Sequence, residues 1–160
     1  LRKKLYNMIY WFIGQPGSGK TALADKLKEE VLPHAFRIDG DEMRLLFDNK
    51  DYSMKGRIAN IDAAQKIALY LHNQGKDVIV SLVTPYLDQR EEFKDDKWFM
   101  WEFYCYYDKS YKTRGREHYH VLNFQEPILD YLEVDTTLDS EDESLKKIKK
   151  YIGKEKHILR

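Results

Sequence analysis

Eight consecutive residues, GQPGSGKT from Gly14 to Thr21, have the types and spacing needed to hold a triphosphate. They fit the pattern G-x-x-x-x-G-K-S/T, in which glycines let successive backbone N–H groups turn toward one anion. Lys20 can reach the β- and γ-phosphates as a point charge, and the Thr21 hydroxyl suits Mg²⁺. The residues predicted to bind ATP, with Mg²⁺ as cofactor, are Gly14, Pro16, Gly17, Ser18, Gly19, Lys20 and Thr21.

Two carboxylates, Asp39 and Asp41, follow a short apolar segment, and Arg44 comes one helical turn later. One carboxylate can accept the proton of an attacking hydroxyl, and the other can hold Mg²⁺ through water. The guanidinium of Arg44 suits an anionic substrate. Asp-Gly-Asp is also ordinary turn and helix-capping chemistry. Because a phosphate-binding pattern precedes it, we interpret the pair as catalytic.

The segments that must position these residues alternate between apolar strands and amphipathic helices. Strands are predicted over residues 8–13, 35–38, 77–83, 98–106 and 132–134, and helices over 21–31, 42–47 and 55–74. A capping box of Ser140 and Glu143 predicts a last helix that ends at Ile152. This alternation implies parallel pairing through right-handed crossovers. The predicted fold is α/β, a three-layer α/β/α sandwich around a mostly parallel five-stranded sheet, as in P-loop NTPases of the nucleotide- or nucleoside-kinase type.

The size and charge of the chain limit what this fold can do. The 160 residues suit one domain, which we place at 1–160. The 27 basic residues cancel the 27 acidic ones, which argues against a nucleic-acid partner. The apolar stretch 8–14 is too short to span a membrane, and the single cysteine excludes a disulfide scaffold, so a cytoplasmic location is expected. The sequence leaves a homodimer open.

Five segments together resemble adenylylsulfate kinase, the P-loop enzyme that phosphorylates the 3′-hydroxyl of adenosine 5′-phosphosulfate (APS) in sulfate assimilation. They are GQPGSGKT, IDGDEMR at 38–44, DYSMKGRIANI at 51–61, VIVSLVTPYLDQR at 78–90 and DKSYKTRG at 108–115. Their order and spacing follow the family's over about residues 8–150. The resemblance implies an ATP-dependent kinase that acts on a small anionic nucleotide.

The resemblance also implies roles for individual residues. Asp39 and Asp41 would serve catalysis and Mg²⁺, with Lys20 on the phosphates and Asp41 as the base. Residues implied to bind the acceptor are Arg44, Tyr52, Arg57, Asn60, Ser81 and Lys109. The irregular segment 107–125 would be a lid that closes over ATP, with Arg114 or Arg116 balancing the developing negative charge.

Departures from the family pattern concern the acceptor side. Asp62 and Ala63 stand where the family has two arginines, and the lid is shorter. Two alternatives therefore stay open: a related kinase for another hydroxyl, such as a modified nucleoside or a polynucleotide 5′-end, and a nucleotide-binding module without transferase activity. His118 and His120 lack a third ligand for a metal site, so we predict that both are surface residues of the lid.

Overall fold

The computed structural model describes residues 6–154, so residues 1–5 and 155–160 of the predicted domain lie outside it. The strands are β1 (Ile9–Ile13), β2 (Phe36–Asp39), β3 (Val78–Ser81), β4 (Met100–Tyr106) and β5 (Leu132–Asp135). The helices are α1 (Lys20–Glu30), α2 (Gly40–Leu46), α3 (Met54–Asn73), α4 (Leu87–Lys94) and α5 (Glu141–Ile152). The predicted α/β architecture is confirmed, and every pairing within the sheet is parallel.

The central strand is β1, and all five of its residues are buried. It pairs with β3 on one side and β4 on the other, in the strand order β2-β3-β1-β4-β5. A continuous apolar run is what a strand needs when helices cover both faces of a parallel sheet. The sequence IYWFI therefore places β1 in the middle of the molecule.

Alternate residues of β1 feed the two halves of the core, because side chains of a strand point to opposite faces in turn. Tyr10 and Phe12 pack in the cluster that contains the apolar faces of α1 and α5. Ile9, Trp11 and Ile13 pack in the cluster formed with α2 and α3. The three layers of the sandwich follow directly from this alternation.

The connections reverse direction at β1, and this sets the position of the site. The chain leaves β1 through α1 and crosses over β3 to reach the edge strand β2. It later leaves β3 through α4 and crosses over β1 to reach β4 on the other side. In an open parallel sheet, a crevice forms at the carboxyl end of the strand where the order reverses. That crevice lies directly beside the residues that follow β1.

The structure adds two elements that the sequence pattern did not predict. Helix α4 is short and largely polar, and its single buried residue is Arg90, so it shows no apolar periodicity. A 3-10 turn at Glu117–Tyr119 lies within the otherwise irregular segment 107–125. Within residues 6–154, no helix combines the length and the apolar character that crossing a membrane requires.

Candidate active site

The loop between β1 and α1 is shaped by its glycines. Gly17 and Gly19 have φ angles of 83° and 93°, a left-handed conformation that side chains disfavour. Helix α1 then begins at Lys20, and no side chain among the described residues caps it. The N–H groups of its first turn therefore remain available to an anion, and the helix dipole favours negative charge there.

Lys20 stands half-buried at the start of α1, with its Nζ atom 3.4 Å from the carbonyl oxygen of Gln15. Burial lowers the pKa of its ammonium group below the ordinary value, and the positive charge of Arg116 lowers it further. Asp39 and Asp41 act in the opposite direction. Two cations and two carboxylates thus face the space in front of the loop.

The oxygen atoms that could hold Mg²⁺ come from α1 and the end of β2. Thr21 Oγ1 lies 3.4 Å from Asp39 Oδ1, which also accepts a hydrogen bond of 2.8 Å from Ser81 Oγ. The second carboxylate oxygen, Asp39 Oδ2, accepts from the backbone N–H of Asp41 at 3.2 Å and so caps α2. Hydroxyl and carboxylate oxygens are the hard ligands that Mg²⁺ prefers. Thr21 and Asp39 therefore fit the predicted metal.

Asp41 lies in the first turn of α2. Its side chain is exposed and lines the cavity in front of the phosphate-binding loop. The sequence also allowed a helix cap at this position, and that interpretation is correct as well, because the side chain of Asp39 caps α2. Both carboxylates line the cavity, and that of Asp39 is held by the backbone N–H of Asp41.

The far wall of the cavity is a loop folded over the start of α3. Arg44 donates to the carbonyl oxygens of Asn49 and Asp51, at 3.1 and 3.0 Å, and its guanidinium lies 3.9 Å from the ring centroid of Tyr52. Gly56 allows the close packing, since a Cβ there would lie 2.0 Å from the carbonyl oxygen of Asp51. Arg44, which was predicted to bind the substrate, supports the loop that presents Tyr52 and also lines the cavity.

Two residues of α3 face the cavity from this wall. Arg57 lines it and is half-buried. Asn60 is only 6% exposed and donates a long bond of 3.4 Å to the carbonyl oxygen of Gly40. Its Oδ1 atom is buried without a hydrogen-bond partner among the described residues. A buried acceptor of this kind costs free energy until a donor reaches it.

Segment 107–125, predicted as a lid, lies against the phosphate-binding loop. The amide group of Gln15 donates to the carbonyl oxygen of Val121 and accepts from its N–H, each at 2.8 Å. His120 Nε2 lies 2.9 Å from the carbonyl oxygen of Pro16. Arg114 donates to the carbonyl oxygen of Gly17 at 2.9 Å. The segment is therefore fastened to the loop by side chains from both partners.

The cations of the lid are divided between two positions. Arg116 lines the cavity, together with His118 and His120. Arg114 instead bonds to Gly17 and Thr136 outside the cavity wall, and its guanidinium lies 4.2 Å from the ring centroid of Tyr107. Of the two arginines left open by the sequence, Arg116 is the one that faces the phosphate position.

A cavity of about 920 Å³ unites the predicted catalytic and metal residues. Arg44, Tyr52, Arg57, Asn60 and Ser81 also line it, although the hydroxyl of Ser81 is engaged with Asp39. Residues predicted to bind ligand that do not line it are Gly14, Ser18, Lys109 and Arg114. Lys109 lies in an exposed turn after β4, before the part of the lid that lines the cavity.

Some site residues escaped the sequence analysis. Gln15 occupies a position of the phosphate-binding pattern where any residue is allowed, so no signal marked its bond to the lid. Arg37 precedes the carboxylate pair and bonds to Ser81, which its sequence position alone does not indicate. His118 and His120 were predicted as surface residues of the lid; His118 is exposed and His120 half-buried, and both also line the cavity, which the sequence did not indicate. All of these residues take their place in the site through contacts between segments that are distant in the sequence, so local patterns did not indicate them.

Comparisons with known proteins identify the family and the fold of the chain. The adenylylsulphate kinase family profile matches residues 6–113. An adenylyl-sulfate kinase of Buchnera aphidicola is 30% identical over 92 residues, which are 55% of this chain and 44% of that protein. A cytidine diphosphoramidate kinase of Campylobacter jejuni is 34% identical over 79 residues, 48% of this chain and 46% of that protein. This chain therefore spans less than half the length of these curated relatives.

A solved structure shares the whole architecture. The APS kinase of Mycobacterium tuberculosis, in complex with AMPPNP and APS, superposes with a TM-score of 0.78. The match covers 93% of this chain and 99% of that one at 22% sequence identity, so it establishes the fold. The profile match extends from before β1 through β4 and includes the phosphate-binding loop, both carboxylates and the acceptor wall. The chain belongs to the adenylylsulphate kinase family.

Proposed function

We propose that the chain is an ATP-dependent kinase that transfers the γ-phosphoryl group of ATP to the 3′-hydroxyl of adenosine 5′-phosphosulfate. The observation that carries the proposal is one continuous cavity. It joins the phosphate-binding loop at Lys20 to the carboxylate of Asp41 and to the wall that presents Arg57. A phosphoryl donor and a hydroxyl acceptor must meet in one space if transfer is to occur in line.

The nucleotide half of the cavity would hold the triphosphate. The free N–H groups at the start of α1 and the ammonium group of Lys20 face its position. Thr21 and Asp39 would hold Mg²⁺, which when bound neutralises part of the phosphate charge. Arg116 supplies a further positive charge from the lid. Fixed charges of this kind stabilise the transition state without having to reorganise.

The acceptor half would hold a nucleotide by three kinds of contact. Arg57 brings a positive charge for an anionic group, and the exposed ring of Tyr52 offers a face for a base. The unpartnered Oδ1 of Asn60 accepts a hydrogen bond from a ribose hydroxyl or an exocyclic amine. Asp41 lies between the halves and would take the proton of the attacking hydroxyl.

A second candidate acceptor is cytidine diphosphoramidate. Asp62, which stands where the family has the first of two arginines, is paired with Lys66 at 2.8 Å. It does not line the cavity, so this part of α3 brings no positive charge to the acceptor. The Campylobacter jejuni relative named cytidine diphosphoramidate kinase is as similar to this chain as the adenylyl-sulfate kinases are.

The experiment is a coupled assay of ADP release with three candidate acceptors, APS, cytidine diphosphoramidate and an oligonucleotide with a free 5′-hydroxyl, and with a control that contains no acceptor. We expect stimulation by APS. Stimulation by the cytidine compound alone would move the activity to the second candidate, and stimulation by the oligonucleotide alone would contradict both. No stimulation by any acceptor, with ATP still bound, would identify a binding module.

Asp41→Asn is the matched variant for this assay. It removes the base but leaves the Asp39 cap and the phosphate-binding loop in place. We expect acceptor-dependent turnover to fall by roughly 10²- to 10⁴-fold with ATP affinity unchanged. Turnover close to that of the unmodified protein would place the base elsewhere.

A further inference from the structure

Arg37 lies on the edge strand β2, two residues before Asp39, and its side chain is only 14% exposed. Its guanidinium donates to Ser81 Oγ at 2.9 Å and to two main-chain carbonyl oxygens of the sheet. Its Nε atom donates to Asp25 Oδ1 on α1, also at 2.9 Å. The guanidinium is thus held on all sides, although it lies outside the cavity wall.

The bond to Ser81 fixes the direction of a hydroxyl proton. Arginine can only donate, so Ser81 Oγ must act as the acceptor toward Arg37. The single proton of that hydroxyl is then free to point at Asp39 Oδ1, which lies 2.8 Å away. Because the backbone N–H of Asp41 holds Asp39 Oδ2, both oxygens of the carboxylate are restrained.

We propose that Arg37 is a positioning residue for the metal site: through Ser81 it holds the Asp39 carboxylate in the orientation that receives Mg²⁺ beside Thr21. This rests on the function proposed above, since it assumes that Mg²⁺ accompanies ATP. Partners that orient a metal-ligating carboxylate typically change metal affinity or activity by 10- to 100-fold when removed. Hydrogen bonds link Arg37 to Ser81 and Ser81 to Asp39, so the three side chains act together.

The test uses Arg37→Met, Ser81→Ala and the double variant, with ATP binding measured by calorimetry in Mg²⁺ and again in EDTA. Each single variant is expected to weaken ATP binding in Mg²⁺ by roughly tenfold or more, with binding in EDTA unchanged. The double variant is expected to bind ATP no more weakly than the weaker-binding single variant does, because both substitutions break the same series of hydrogen bonds from Arg37 through Ser81 to Asp39. Losses of ATP affinity that multiply in the double variant would overturn the proposal.

Asp25→Asn is the matched control. It removes the partner of the Arg37 Nε atom but leaves the bond to Ser81, and the Asp25 side chain is 64% exposed. We expect the Asp25→Asn variant to bind ATP in Mg²⁺ as tightly as the unmodified protein does. A loss as large as that of Arg37→Met would show that Arg37 acts by joining α1 to the sheet, which contradicts the proposal.

Arg37→Lys keeps the test decisive if Arg37→Met unfolds. A lysine retains a charge and a donor for Ser81, so we expect a loss between those of the unmodified protein and Ser81→Ala. In the Ser81→Ala background, Arg37→Lys should have no further effect on the Mg²⁺-dependent binding. The measurement needs no acceptor, so its result does not depend on whether APS is the substrate. An unmodified protein that binds ATP equally in Mg²⁺ and EDTA would overturn both the metal site and this proposal.

Discussion

The two halves of the cavity are built in different ways. Most of the nucleotide half comes from eight consecutive residues, Gly14–Thr21, whose backbone angles and helix start are set locally. Asp39 and Arg116 are added to it from β2 and from the lid. The acceptor half combines α2, the loop over α3 and the end of β3, which are brought together by the sheet. Local sequence therefore sets the conformation of the phosphate-binding loop, whereas the acceptor half depends on how distant segments pack.

The halves also differ in how completely their polar groups are satisfied. On the nucleotide side, side chains of the lid already bond to the loop at Pro16 and Gly17. On the acceptor side, Tyr52 is 62% exposed, and Asn60 Oδ1 has no partner among the described residues. We therefore expect substitutions in the acceptor half to change which acceptor is bound and to leave ATP binding unchanged.

Among substitutions in the loop, the lid and α3, Lys20→Ala is expected to have the largest effect, because it removes the cation that reaches the phosphates from the loop. We expect kcat/KM to fall by roughly 10³-fold with the fold intact. Activity assays and circular dichroism on the same sample measure both. Lys26→Ala on the same helix is the control, since its partners are the exposed residues Glu30 and Asp142. Retained turnover in Lys20→Ala would contradict the assignment of the nucleotide half.

Arg116→Ala and Arg114→Ala sharpen the comparison within the lid. Arg116 lines the cavity, so its loss is expected to lower kcat by roughly 10²-fold. Arg114 fastens the lid to Gly17 and Thr136, so its loss is expected to raise the KM for ATP with a smaller change in kcat. Steady-state kinetics separate the two. The reverse pattern would show that the lid presents a different arginine during turnover.

Arg57→Ala tests the acceptor half by itself. Removing its charge is expected to raise the KM for the acceptor by roughly tenfold, because a charged hydrogen bond is lost. The KM for ATP should not change. Lys55→Ala, on the exposed side of the same helix turn, is the matched control. An unchanged acceptor KM in Arg57→Ala would remove the main support for an anionic nucleotide as acceptor.

The sequence predicted the sheet and the nucleotide half well because both depend on local patterns. Apolar runs marked the strands, and the GKT motif marked the start of α1. The pattern failed for α4, whose packing depends on the buried Arg90 rather than on an apolar stripe. Arg90 donates to the carbonyl oxygen of Thr84, six residues earlier, and to that of Gln125, 35 residues later at the end of segment 107–125.

Positions within the lid were harder to predict, because an irregular segment has no period to follow. Its path is set by Glu117, whose carboxylate accepts from the backbone N–H groups of Arg114, Gly115 and Arg116. That turn directs Arg116 into the cavity and leaves Lys109 outside it. The number of cations along the segment does not distinguish Arg116 from Lys109. The position of Glu117, whose carboxylate organises the loop, does distinguish them.

Glu117→Gln is expected to have the smallest effect, and its pH dependence shows whether the lid is held as described. The hydrogen bond from Tyr107 is the main cause that lowers the pKa of Glu117 to about 2. An unfolded glutamate has a pKa of about 4.3. Because the folded value is the lower one, the ionised carboxylate stabilises the lid above the unfolded pKa, and this stabilisation is lost as pH falls toward the folded value.

The measurement is the thermal unfolding midpoint of both proteins with ADP, from pH 7 down through this window. At pH 7 we expect Glu117→Gln to unfold at a slightly lower temperature, because a neutral amide binds the three N–H groups less strongly. The difference should shrink below about pH 4.3, as the unfolded glutamate takes up its proton. A difference that stays constant across the window would show that charge on Glu117 does not hold the lid, and the lid would then rest on the contacts of Gln15, Arg114 and His120.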